Sequence, residues 1–211
     1  MLKEFCAENF TDVPKAMSAG ANRVELCDNL TVGGTTPSLG VLTETLAYVH
    51  EKNGTVMEII RPRGGDFFYN DTELKIMEFD LLKAREAGVD GIVIGCLTAD
   101  CELDDEALAN FADIAQGLSM TFHMAFDEIA AEKQFAAIDY LVTLGFDRIL
   151  THGGASGTTI HDNLPRLKEL VDYAGGRITI LPGGGVTYEN VDEIVAVLGV
   201  NEAHGTKIVA I

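Results

Sequence analysis

The stretch "AGANRVELC", Ala19 to Cys27, has three echoes further along the chain: "AGVDGIVIGC" (Ala87 to Cys96), "LGFDRILTH" (Leu144 to His152) and "LGVNEAHGT" (Leu198 to Thr206). In each, a glycine follows a helical pattern and can close the helix in the left-handed conformation that residues with a Cβ avoid. Asn or Asp then makes a tight turn, and an apolar run starts two residues later. The result is an αβ junction written four times. The intervals between Gly20, Gly88, Gly145 and Gly199 are each long enough for two βα units. Further strands read out between them: "GTVMEIIRPRGG", "SMTFHMAFD" and "RITILPGGG". With the opening "KEFC" this makes eight strands.

Helical faces separate the strands. Leu39, Leu42, Leu46 and Val49 fall on one face; so do Leu108, Phe111, Ala112 and Ala115, and Val191, Ile194, Val195 and Leu198. Thr11, Asn70 and Thr187 stand where N-caps are expected. Eight strands alternating with helices predict a TIM-like (β/α)8 barrel formed by residues 1–211 as one domain. An open doubly wound sheet is the alternative, but the first βα turn lacks the glycine-rich fingerprint of that fold. After the eighth strand only "KIVAI" remains, so the final helix is expected to be short or missing. The sector it would cover, including Val24 and the apolar tail, is then expected to be exposed and to be buried in a homodimer.

Composition narrows the function classes. The chain has 211 residues, 47% hydrophobic, with 33 acidic against 15 basic side chains and a formal charge of −18. Nucleic acid and anionic membranes would be repelled. No signal-like segment and no apolar run near membrane-spanning length occurs, which predicts a cytoplasmic protein. Four cysteines without a C-x-x-C pair read as reduced thiols rather than a disulfide or zinc framework.

Strand alternation then sets which side chains point inward. Glu25 and Cys27 share a face, as do Glu4 and Cys6, while Phe5, Val24, Leu26, Ile92, Ile94 and Ile149 take the other. Two Glu-x-Cys units on adjacent strands therefore place both thiols at the C-terminal mouth and both carboxylates one layer below. The mouth also gathers Arg61, Arg63, Cys96, His123, Asp127, His152, Gly183, Gly184, Gly185 and His204. Two readings stay open for each group. The thiols are metal ligands or small packing residues. Glu4 and Glu25 are proton carriers or ion-pair partners of Arg61 and Arg63. His123 and His152 are site groups or core residues. The glycine run cradles an anion or only makes a turn.

The blocks "RVELCDNLTVGGTTPS", "IIRPRGGDFFY", "TFHMAFD", "ILTHGG", "PGGGV" and "HGT" together resemble the copper homeostasis protein CutC family. The resemblance implies a TIM-barrel-like fold, a cytoplasmic location and Cu(I) held by Cys6 and Cys27, and soft thiolates do suit that ion. This chain departs from the family pattern at Met124, where an Arg is usual, and at His152. A second function class is an enzyme on a small phosphorylated or carboxylated substrate. In it Arg61, with Arg63, His204 and Gly183 to Gly185, would bind an anionic group, and His123, Asp127 and Glu25 would move protons.

Overall fold

The computed structural model describes residues 1–154 and 157–211. Eight strands are present: β1 (Leu2–Glu8), β2 (Arg23–Cys27), β3 (Thr55–Ile59), β4 (Gly91–Ile94), β5 (Ser119–Phe122), β6 (Arg148–Thr151), β7 (Thr179–Pro182) and β8 (Glu202–Gly205). Between them lie α1 (Val13–Ser18), α2 (Leu39–Glu51), α3 (Asp71–Ala87), α4 (Asp105–Ile114), α5 (Gln134–Thr143), α6 (Leu164–Ala174) and α7 (Val191–Leu198). All the ladders are parallel, and the strands run in the order β7-β6-β5-β4-β3-β2-β1-β8. Because β1 pairs with both β2 and β8, the sheet curls into a nearly closed TIM-like barrel. The predicted fold class stands.

The alternation read from the sequence separates two cores. Phe5, Val24, Leu26, Ile92, Ile94 and Ile149 pack outward in one large cluster with the helices. Cys6, Cys27, Met57, Ile59 and Val93 form a second, smaller cluster inside the barrel. Gly88 and Gly199 close α3 and α7 at φ +87° and +72°, as the repeated junction requires. Asn70 caps α3 in a reciprocal box with Glu73.

Three expectations are corrected. Thr11 does not cap α1: its N–H and hydroxyl both bond Asn9 Oδ1, and the N-cap is Asp12. Thr187 does not cap α7: it forms a bridge with Lys207, and the helix begins after Asn190. The sector without an eighth helix is not left open. Lys207 accepts from Tyr188 N, and Ile208 and Val209 are buried in the main core, as is Val24. The tail itself covers the gap at Ile208 and Val209, so Val24 is not exposed as expected, while the terminal Ile211 is 53% exposed.

One residue breaks the pattern of the outer core. Glu58 faces outward from β3, between the apolar Val56 and Ile60, and is 3% exposed with Oε2 lacking any partner. Burial, then the nearby charge of Asp80 on α3, pushes its carboxyl up to about 8 from the ordinary 4.5. A carboxyl raised in the fold makes stability greatest below pH 4.5 and erodes it as pH rises toward 8. Glu58→Gln should therefore match the wild type in acid and exceed it above pH 8, by on the order of a few kcal/mol. Urea denaturation across this range checks it; a constant difference would be contrary.

Candidate functional site at the barrel mouth

The interior of the barrel is built around β1. Glu4 lies opposite Arg23 on β2 and His204 on β8, Cys6 opposite Glu25, and Glu8 opposite Cys27. The two Glu-x-Cys units are thus offset by two residues rather than level, which brings Glu25 to the layer of Cys6. Ligand atoms of Cys6, Glu25 and Cys27 all lie within 4.8 Å of one another, and the same holds for Glu4, Glu25 and His204. Glu25 belongs to both groups and joins them.

Below this cluster the floor is a chain of buried charges. Arg23 Nε donates to Glu4 Oε2, and Arg23 Nη2 meets Glu202 at 2.7 Å. Arg148 Nε also reaches Glu202 at 2.7 Å. His204 Nδ1 lies 2.8 Å from Glu4 Oε1, and its Nε2 lies 3.4 Å from Glu25. The expected pairing of Glu4 and Glu25 with Arg61 and Arg63 is replaced by pairing with Arg23 and His204. Arg23 carries the same alternation signal as Glu25, two residues earlier, and extending that reading would have found it. Arg148 and Glu202 stand, like Arg23, three residues after a junction glycine, and the same extension would have found them.

Electrostatics divides the two thiols. A hydrogen bond from Cys27 holds Cys6 well below the usual thiol range against burial, helped by His204. Cys27, as the donor and fully buried, is pushed up. Burial and the charge on Cys6 push Glu25 up. Burial opposes charge on His204, but Glu25 and the bonds to Cys6 and Glu4 carry it upward. Burial alone would raise Glu4; His204 and Arg23 outweigh it and bring the carboxyl down to about 2.

Above the thiols is a cavity of about 190 Å³, with Arg61, Phe67, His123, Met124 and Leu150 in its wall. It lies beneath a wider hollow of about 730 Å³ bounded by Asp127, His152 and Gly184. The remaining predicted residues separate here. Asp127 accepts from Thr151 Oγ1, His152 N and Gly153 N, so it clamps the end of β6 rather than facing His123. His123 instead accepts from Ala125 N at Nδ1. Arg63 points away from the cavity and holds Glu73, Asp66 and the carbonyl of Phe68. His152 is held by Asn163.

The glycine run has a packing role. A Cβ on Gly184 would lie 3.0 Å from the His152 ring, and one on Gly183 would lie 2.5 Å from Leu150. The run turns through φ +72° and +101° at Gly184 and Gly185. Helix α7 begins only at Val191, so its positive end does not open on these glycines. Cys96 packs in the outer core and Cys101 is exposed, so neither joins the thiol cluster.

The fold and the cluster of buried polar and thiol side chains at its mouth define an α/β barrel protein with a candidate site inside its C-terminal end. The CutC family model matches residues 1–209, and the chain belongs to that family. It is 62% identical to a CutC family protein of Enterococcus faecalis, over 99% of this chain and all of that one. It is 41% identical to the copper homeostasis protein cutC homolog of Homo sapiens, over 96% of this chain and 72% of that one. A CutC crystal structure from Streptococcus agalactiae superposes with a TM-score of 0.96 at 52% identity, covering 99% of each chain. An aldolase, QR15, shares the fold alone, with a TM-score of 0.73 at 15% identity, over 100% of this chain and 91% of that one.

Glu4→Gln would leave Arg23 and His204 buried without their shared carboxylate. It should destabilise the protein by about 3–5 kcal/mol at neutral pH. A carboxyl lowered by folding contributes its stability above pH 4.5 and loses it as pH falls toward 2, so the gap should narrow in acid. Chemical denaturation of both proteins measures this; a loss of less than half the expected size would mean the floor tolerates an unpaired charge.

Proposed function

We propose that this CutC-family protein takes part in copper handling in the reducing cytoplasm, with Cu(I) as its cargo. Cys6 and Cys27 supply the two sulfurs, and Glu25 lies beside them. The observation that carries the reading is the convergence of these ligand atoms within 4.8 Å inside the barrel. Two sulfurs sharing one ion at bond lengths of about 2.3 Å sit no more than about 4.6 Å apart, so little movement is needed. Reduced, buried thiols suit a soft monovalent ion better than a hard one. The name of the human relative, a copper homeostasis protein homolog, agrees with this reading.

The cargo must displace protons. Cys27 holds its proton strongly, so binding releases at least that one and tightens as pH rises. No helix among the described residues is long and apolar enough to cross a membrane.

A second reading, an enzyme on a small anionic substrate, draws support from one observation. Arg61 and His123 stand in the cavity wall above the sulfurs, where Cu(I) needs neither of them.

Titration of Cu(I) against a competing chelator under reducing conditions tests the first reading. One equivalent should bind to the wild type, and Cys6→Ser and Cys27→Ser should each lose it. Affinity unchanged in both variants would leave the thiols as packing residues and bring the enzyme reading forward.

A further inference from the structure

Arg61 is a buried cation without a counter-charge. It lies at the end of β3 and is 3% exposed. Nη1 donates to the carbonyls of Val32 and Gly34, each at 2.9 Å, and Nη2 to that of Gly65 at 2.8 Å. Its guanidinium carbon stands 4.9 Å from the centre of the Phe67 ring. All three acceptors are neutral, and among the described residues no carboxylate forms an ion pair with it. The fourth side of the fork, Nε, is buried and makes no hydrogen bond, although the Tyr69 hydroxyl, itself buried and unbonded, is close enough to feel the guanidinium charge. Burying a charge in this way is costly unless an opposite charge arrives.

His123 presents a second vacant donor. Its Nδ1 accepts from Ala125 N, which places the proton of the neutral ring on Nε2. Burial, then the charge of Arg61, brings its pKa down to about 3, so the ring is neutral over the physiological range. Nε2 is buried and has no partner. The ring occupies this position because residue 95 is glycine: a Cβ there would lie 2.6 Å from Nδ1. His123 packs on the same Phe67 ring, with centroids 4.8 Å apart.

Both residues line the cavity of about 190 Å³, whose remaining wall includes Leu30, Ile59 and Leu150. That space holds roughly six water-sized groups. We propose that it binds a small organic carboxylate, which accepts hydrogen bonds from Arg61 Nε and His123 Nε2 and supplies the missing counter-charge to Arg61. A short apolar body lies against Ile59 and Leu150. Two donors match one carboxylate; the further negative charge of a phosphate would lie against Glu25 and the two sulfurs, which share the cavity wall. The inference does not rest on copper, although the ligand would sit directly over the two sulfurs.

The test uses metal-free, reduced protein, so that its outcome is separate from that of the copper titration. Thermal unfolding and calorimetry are followed with propionate, pyruvate and succinate, against inorganic phosphate and chloride at equal ionic strength. At least one carboxylate should raise the melting temperature by mass action, saturably and beyond chloride. His123→Asn keeps an oxygen for Ala125 N–H but loses the Nε2 donor. It should weaken binding about tenfold or more, the weight of one hydrogen bond to a charged group. Arg61→Lys keeps the charge but loses Nε and should weaken it likewise; if that variant does not fold, His123→Asn decides. No carboxylate effect beyond chloride, or equal binding by His123→Asn, overturns the proposal. Stabilisation by phosphate alone overturns the assignment to a carboxylate.

Discussion

Everything inside the barrel hangs on the carboxylate of Glu4. One oxygen accepts from Arg23 and the other meets His204, so a single side chain on β1 ties together the strands on either side of it. Arg23 is tied in turn through Glu202 to Arg148, which carries the network across to β6. Buried charges are best tolerated in an interior when each finds a partner, and here the partners come from four strands, β1, β2, β6 and β8. The network therefore fixes the relative placement of strands as well as the charge state of the floor.

The thiol pair is a consequence of that arrangement. With Glu4 committed downward, Glu25 is the carboxylate left facing Cys6, and His204 stands between the two acids. The thiols respond unequally: the Cys27 hydrogen bond brings the Cys6 thiol down, while burial and that same bond push the Cys27 thiol up. A site of two equal cysteines, as the repeated Glu-x-Cys suggested, is in fact polarised.

The barrel and the direction of its side chains were legible in the sequence because both depend on local, periodic signals. A glycine after each helix and alternation along each strand are properties of short windows, and Glu4, Cys6, Glu25, Cys27, His123 and His204 were placed inside by them. What was not legible depends on register between strands. Nothing local to "KEFC" or "RVELC" says that Cys6 aligns with Glu25 instead of Cys27, or that Arg23 rather than Arg61 takes Glu4. The role of Asp127 was hidden for a similar reason, since its partners come from the end of a different strand. The tail was misjudged because "KIVAI" is too short for a helix, yet two buried residues suffice to close the sector.

The mouth has two chemically distinct halves. Sulfur and carboxylate groups gather on β1 and β2, with His204 on β8 beside them, while Arg61 after β3 and His123 after β5 present unpartnered donors. In the proposed reading a cargo ion satisfies the first half, and in the carboxylate proposal an anion satisfies the second. The central claim concerns the first, and X-ray absorption at the copper edge tests it most directly on protein loaded with one equivalent of Cu(I) and desalted under reducing conditions. The account predicts a first shell dominated by two sulfur scatterers, lost in Cys6→Ser and in Cys27→Ser. A shell of nitrogen and oxygen alone, or no copper retained after desalting, would contradict it.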